Sequence, residues 1–190
     1  DPGAERPPRR ELPFVHRFHH PRNPDGSVIL TLHGSGGAEA DLFPLGHAVN
    51  SRATLLGVRG RATEEGIARW FRRLGPSRFD QADIRAEAEA FAAFIDGAVR
   101  GYGIDPAQLT VLGHSNGANF AAAVLALHPG LIRRAVLLRP LAVLDDLPAA
   151  DLTGTRALVL TGAQDPDAPK AERLTSWLTP SRATRDARVI

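Results

Sequence analysis

Serine is a weak nucleophile unless it is exposed, set beside a base and aimed at donors that can hold an oxyanion. Ser115, within Gly113-His114-Ser115-Asn116-Gly117, has the surroundings for this chemistry. Residues 109–112 read as a strand and residues 116–127 as an Ala-rich helix, so the pentapeptide is the sharp strand-to-helix turn that lifts a nucleophile clear of a sheet. The glycines two positions to either side leave space for that turn and for close packing of helix on strand. Asn116 N–H, at the helix start, points where an oxyanion would form. A purely structural turn is the alternative, and the strand-turn-helix context weighs against it.

A second oxyanion donor should come from a loop after an earlier strand. Leu32-His33-Gly34-Ser35-Gly36-Gly37 follows the apolar run 28–32, and its glycines allow the backbone to turn N–H groups toward a ligand, with Ser35 N–H as the assigned donor. No Lys follows these glycines and the G-x-G-x-x-G spacing is absent, which argues against a phosphate loop. His33 is expected to brace the loop and not to act as a base. The acid should follow the nucleophile at the carboxyl end of a later strand. Asp165 does so, after strand 157–161 and the Gly162 turn, where it could orient an imidazole. Its competing role is to cap the next helix, which Asp167 could do instead.

These residues need a scaffold, and the chain supplies the pattern of one. Apolar runs at 28–32, 53–58, 109–112, 135–138 and 157–161 alternate with helical stretches at 83–102, 116–127 and 169–178. Ile84, Ala88, Phe91, Ile95 and Tyr102 recur at helical spacing to form one face. Such alternation predicts an α/β fold, a mostly parallel central sheet with helices on both faces and ligands beyond the carboxyl strand ends. Residues 13–20 alternate apolar and polar as an edge strand would. Residues 1–12 have almost no apolar content and are expected to be a flexible arm, leaving 13–190 as a single domain.

The 190 residues suit one domain, and 43% hydrophobic with 23% charged residues excludes a disordered or fibrous chain. A net charge of +2, with basic residues scattered among acidic ones, excludes a phosphate-tracking stripe, so nucleic acid is not an expected partner. The sequence holds no cysteine, which removes disulfides and thiolate chemistry. No apolar run approaches the roughly 18 residues of a membrane span, and no signal-peptide pattern opens the chain, so a cytoplasmic location away from membranes is expected. The chain begins at Asp1 and contains no Met, which reads as a trimmed, processed or replaced start.

Taken together, Leu32-His33-Gly34-Ser35-Gly36-Gly37, Val58-Arg59-Gly60, Arg69-Trp70-Phe71-Arg72-Arg73, Gly113-His114-Ser115-Asn116-Gly117-Ala118-Asn119 and Gly162-Ala163-Gln164-Asp165-Pro166 resemble the phospholipase/carboxylesterase family of α/β-hydrolases. Within it, the chain is similar to small bacterial carboxylesterase-like proteins associated with hydroquinone and quinone stress. The resemblance covers roughly residues 14–178. It implies an α/β-hydrolase fold and a serine esterase with Ser115 and Asp165 in a triad and the Ser35 and Asn116 amides as oxyanion donors.

In one respect the chain departs from that family. The family's histidine follows one more helix and strand, on a Gly-His loop, whereas this chain has no histidine after His128. Residues 187–190 could begin that last strand. Truncation is the favoured explanation, ahead of a base supplied by another subunit or an inactive relative. Trp70 and Phe71 could wall a substrate cleft, or the segment could simply pack on the body. The size leaves no room for a large lid, so short acyl or aryl esters are expected. A small-molecule ester is the expected partner, with homodimerisation left open, and the chemistry requires no metal or organic cofactor. The competing function is a non-catalytic or impaired hydrolase-fold binding protein.

Overall fold

The computed structural model describes residues 3–6, 9, 12–162, 164–178 and 184–189. The chain opens with β1 (Ala4–Arg6), β2 (His16–His20), β3 (Val28–Leu32), α1 (Phe43–Val49) and β4 (Thr54–Val58). Two hairpins follow, β5 (Ala62–Glu64) with β6 (Ile67–Arg69) and β7 (Arg73–Gly75) with β8 (Arg78–Phe79). The remainder runs α2 (Gln81–Tyr102), β9 (Leu109–His114), α3 (Asn116–Leu127), β10 (Arg134–Leu138), β11 (Arg156–Thr161), α4 (Ala168–Leu178) and β12 (Thr184–Val189).

The main sheet has the order β1-β2-β4-β3-β9-β10-β11-β12. Every pairing from β4 to β12 is parallel, while β1–β2 and β2–β4 are antiparallel. β3 and β4 are buried at every position, as expected of strands covered on both faces. Leu30, Leu32, Leu56, Val58, Val111, Leu137 and Val159 pack in the principal core with Phe91 and Phe94 of α2, Phe120 of α3 and Leu174 and Leu178 of α4. The other face carries a smaller cluster of Ile29, Leu55 and Leu112, with Phe43 of α1 against it. Helices therefore lie on both faces, as the alternation predicts.

α3 runs through the middle of the molecule, and its residues from Asn116 to Ala126 are all buried. That explains an apolar, Ala-rich sequence with little sidedness, since small side chains let a fully enclosed helix lie close to the sheet. α2 begins two residues before its expected start because the Asp80 carboxylate caps it, accepting from Asp83 N–H at 3.1 Å. It stops at Gly103, whose φ of +67° only glycine adopts readily.

The N-terminal expectation needs correction. Ala4–Arg6 forms the edge strand, so His16–His20 lies one position inside the sheet. Arg9 N–H donates to the Tyr102 hydroxyl at 3.0 Å, and Leu12 packs on the core. Composition misleads here because a ladder on an existing strand edge satisfies backbone groups without needing apolar side chains. Glycine at position 3 is required, since a Cβ there would lie 2.1 Å from His20 O. The described residues contain no helix long and apolar enough to cross a membrane.

Candidate active site

The turn at Ser115 is as sharp as its sequence suggests. Ser115 has φ +53° and ψ −115°, a conformation unfavourable for a non-glycine residue, and strain of this kind concentrates at functional positions. The turn is pinned by Ser115 N–H donating to Leu138 O at 2.8 Å and Asn119 N–H donating to Ser115 O at 2.9 Å. Serine before a helix usually caps it with its hydroxyl, but Ser115 makes no such bond, which leaves Oγ uncommitted to the helix. Each flanking glycine has a steric reason. A Cβ on Gly113 would sit 2.8 Å from the Ala118 backbone, and one on Gly117 would sit 2.2 Å from Leu32 O.

The loop after β3 packs directly on this turn. A Cβ built on Gly34 would lie 3.1 Å from His114 Nδ1 and 3.7 Å from Ser115 Cβ. His33 braces the loop, as expected. Its Nε2 accepts from Gly60 N–H at 3.0 Å, so the neutral ring carries its proton on Nδ1 and donates to Gly34 O at 2.6 Å. Burial holds its pKa below the usual histidine value, consistent with a neutral structural ring. Among the described residues, neither Ser35 N–H nor Asn116 N–H donates to a protein acceptor, while the neighbouring Gly36 and Gly37 amides do. Both assigned oxyanion donors are thus unspent at the carboxyl end of the sheet.

Trp70 and Phe71 do not wall a cleft. Both are fully buried, with Trp70 stacked on Phe120 at a centroid distance of 5.3 Å, and this corrects the substrate-contact expectation in favour of packing on the body. Their apolar rings bury more surface in the core than a solvent-facing wall would allow. Trp70 nonetheless ties the site together. Its N–H donates to Asn116 Oδ1 at 2.9 Å and its Nε1–H to His33 O at 2.8 Å, joining the two donor segments.

Asp165 follows β11 at the same end of the sheet. Its Oδ2 accepts from Arg139 Nε at 3.0 Å and its Oδ1 from Asp167 N–H at 2.9 Å, with the side chain only 7% exposed. The Asp167 amide, and then the Arg139 guanidinium, hold the carboxyl below the ordinary Asp pKa, so it is anionic at neutral pH. Asp165 therefore shapes the turn toward α4. Arg139 escapes a motif-based reading, although an arginine ending an apolar strand just before Pro140 is a visible irregularity. Its φ of +55° is a second strained backbone beside Ser115.

None of the seven histidines bonds to Ser115 or Asp165 among the described residues. His16 is held by Phe14 O at 2.7 Å and the Tyr102 hydroxyl at 2.6 Å, and His20 by Thr54 Oγ1 at 2.9 Å. His19 lies against Phe43, His47 is on α1, and His128 ends α3. His114, next to Ser115, has its pKa lowered by burial and by Arg139. No group of three or more His, Cys, Asp or Glu suited to a metal occurs among the described residues. A cavity of about 540 Å³, lined by Phe18, Asp25, Thr54 and Tyr102 among others, opens at the amino ends of β3 and β4 and is remote from Ser115.

Residues 45–186 match the family described as alpha/beta hydrolase fold. MhqD of Bacillus subtilis (strain 168), a hydrolase by name, is 35% identical over 146 residues, spanning 77% of this chain and 73% of its own. A carboxylesterase from Mesorhizobium loti is 42% identical with a TM-score of 0.92, covering 97% of this chain and 88% of that one. The Bacillus cereus carboxylesterase is 32% identical with a TM-score of 0.88, covering 94% and 85%. The chain belongs to the α/β-hydrolase fold family and is, within it, a carboxylesterase-like hydrolase.

Proposed function

We propose that the protein is a serine esterase that cleaves short acyl or aryl esters through an acyl-enzyme on Ser115. The observation that carries this reading is the juxtaposition of a strained Ser115, its hydroxyl not used as a cap, with two unspent amides at Ser35 and Asn116. Ser115 Oγ attacks the ester carbonyl and the two amides hold the tetrahedral oxyanion. Collapse expels the alcohol or phenol, and water then releases the acid. The alcohol leaves with the proton taken from Ser115, relayed through an imidazole oriented by anionic Asp165.

Among the described residues none of the seven histidines is hydrogen-bonded to Ser115 or Asp165, so that imidazole is not assigned to one of them. The connections from β4 to α2 and from β10 to β11 hold two hairpins and an extended segment, too small for a lid domain, which favours short esters. Loss of turnover in Ser115→Ala, with 4-nitrophenyl acetate or butyrate as substrate, is expected. Equal rates in both forms would remove Ser115 from the reaction. A folded protein that binds esters but turns none over belongs instead to the non-catalytic class.

A further inference from the structure

Arg69, the last residue of β6, is only 8% exposed, and its Nε is buried without a hydrogen-bond partner among the described residues. Among the described residues no carboxylate pairs with it. Three other arginines are matched: Arg59 with Glu39 at 2.7 Å, Arg61 with Glu87 at 2.8 Å and Arg139 with Asp165 at 3.0 Å. A guanidinium cannot escape burial by losing its proton, so an unpaired one is a persistent cost to the fold. Its terminal nitrogens take no protein acceptor among the described residues and are not sealed from solvent as Nε is.

Position gives this orphan a use. On one side of Arg69, Ala68 O accepts from Gly36 N–H at 2.8 Å. On the other, Trp70 N–H donates to Asn116 Oδ1 at 2.9 Å. Arg69 is thereby stitched between the segments carrying the Ser35 and Asn116 amides, where an ester must lie to react. A guanidinium with a fixed stem and an open planar end matches a carboxylate in two-point contact.

We infer that Arg69 binds a carboxylate on the substrate, so that the preferred esters are monoesters of dicarboxylic acids or esters of carboxylate-bearing alcohols. This rests on Ser115 being the nucleophile. The test compares mono-4-nitrophenyl succinate with its neutral isostere, 4-nitrophenyl 4-methylpentanoate. In the unaltered enzyme kcat/KM should favour the succinate by about tenfold or more, the scale of one well-formed ionic contact. Arg69→Leu should erase that ratio, with kcat/KM for the succinate falling much further than for the neutral ester. Its Tm should hold or rise, because an unpaired buried charge has been replaced by an apolar stem. Arg69→Lys should fall between.

Succinate should slow phosphonate labelling of Ser115 in the unaltered protein, a readout that needs no variant to fold, and should not do so in Arg69→Leu. No preference in the unaltered enzyme, or an equal fall for both esters in Arg69→Leu, overturns the inference. If Ser115 takes no phosphonate at all, the nucleophile reading fails first. Intact labelling and neutral-ester turnover with no succinate effect condemn only the role of Arg69.

Discussion

Replacing Gly117 with alanine would put a methyl group between α3 and the end of β3. The added Cβ would lie 2.2 Å from Leu32 O and 2.6 Å from His33 O. A comfortable contact is about 3.5 Å, so the nearer carbonyl and the helix must separate by about 1.3 Å. Leu32 is held in register on both sides, opposite Val58 and Gly113, and therefore resists moving. The displacement falls instead on the first turn of α3 or the His33 loop, which carry Asn116 and Ser35. Oxyanion donors act only within about 2.7–3.1 Å of the oxygen, so a shift of this size removes at least one and should lower kcat by about 10²- to 10³-fold. Overpacking should also reduce stability by about 1–3 kcal/mol. Initial rates on an aryl ester, with urea unfolding of the same preparation, read both effects. A folded Gly117→Ala protein with an unchanged kcat would refute the claim that this contact sets the oxyanion geometry.

Asp165→Asn should retain the fold but lower kcat by about 10⁴-fold, the scale seen when a triad carboxylate loses its charge, as read by aryl-ester kinetics with circular dichroism as control. A loss below tenfold would leave Asp165 only its turn-forming role. His33 gives a pH signature. Burial lowers its pKa, so below the ordinary value of about 6.5 the unfolded chain binds a proton that the folded chain refuses. Its contribution is therefore undiminished above that pH and declines as pH falls toward the folded pKa. His33→Gln should flatten the fall of Tm on acidification through this window, and parallel Tm curves would contradict the neutral, bracing ring.

Much of the local geometry of the candidate site was legible because each part is a local pattern. An apolar strand running into Gly113-His114-Ser115-Asn116-Gly117 and an Ala-rich helix allows few conformations, and α3 starts and ends at the residues its sequence suggests. Asp165 and the loop from His33 to Gly37 were likewise marked by strand ends and glycines. The parts that were not legible depend on distant partners. Trp70 reads as readily on a surface as in a core, and only the ring of Phe120 against it decides. β1 exists because β2 offers an edge, which its own Pro- and Arg-rich surroundings do not suggest. The lack of a partner for Arg69 among the described residues depends on what surrounds it in space, and no sequence pattern encodes that.

The most direct measurement of the central claim is mass spectrometry of the protein after exposure to a fluorophosphonate. One adduct per chain on the peptide carrying Ser115, abolished in Ser115→Ala and slowed in Gly117→Ala, is the predicted result. A folded protein left unlabelled, or one whose label persists in Ser115→Ala, would contradict the assignment of Ser115 as the nucleophile.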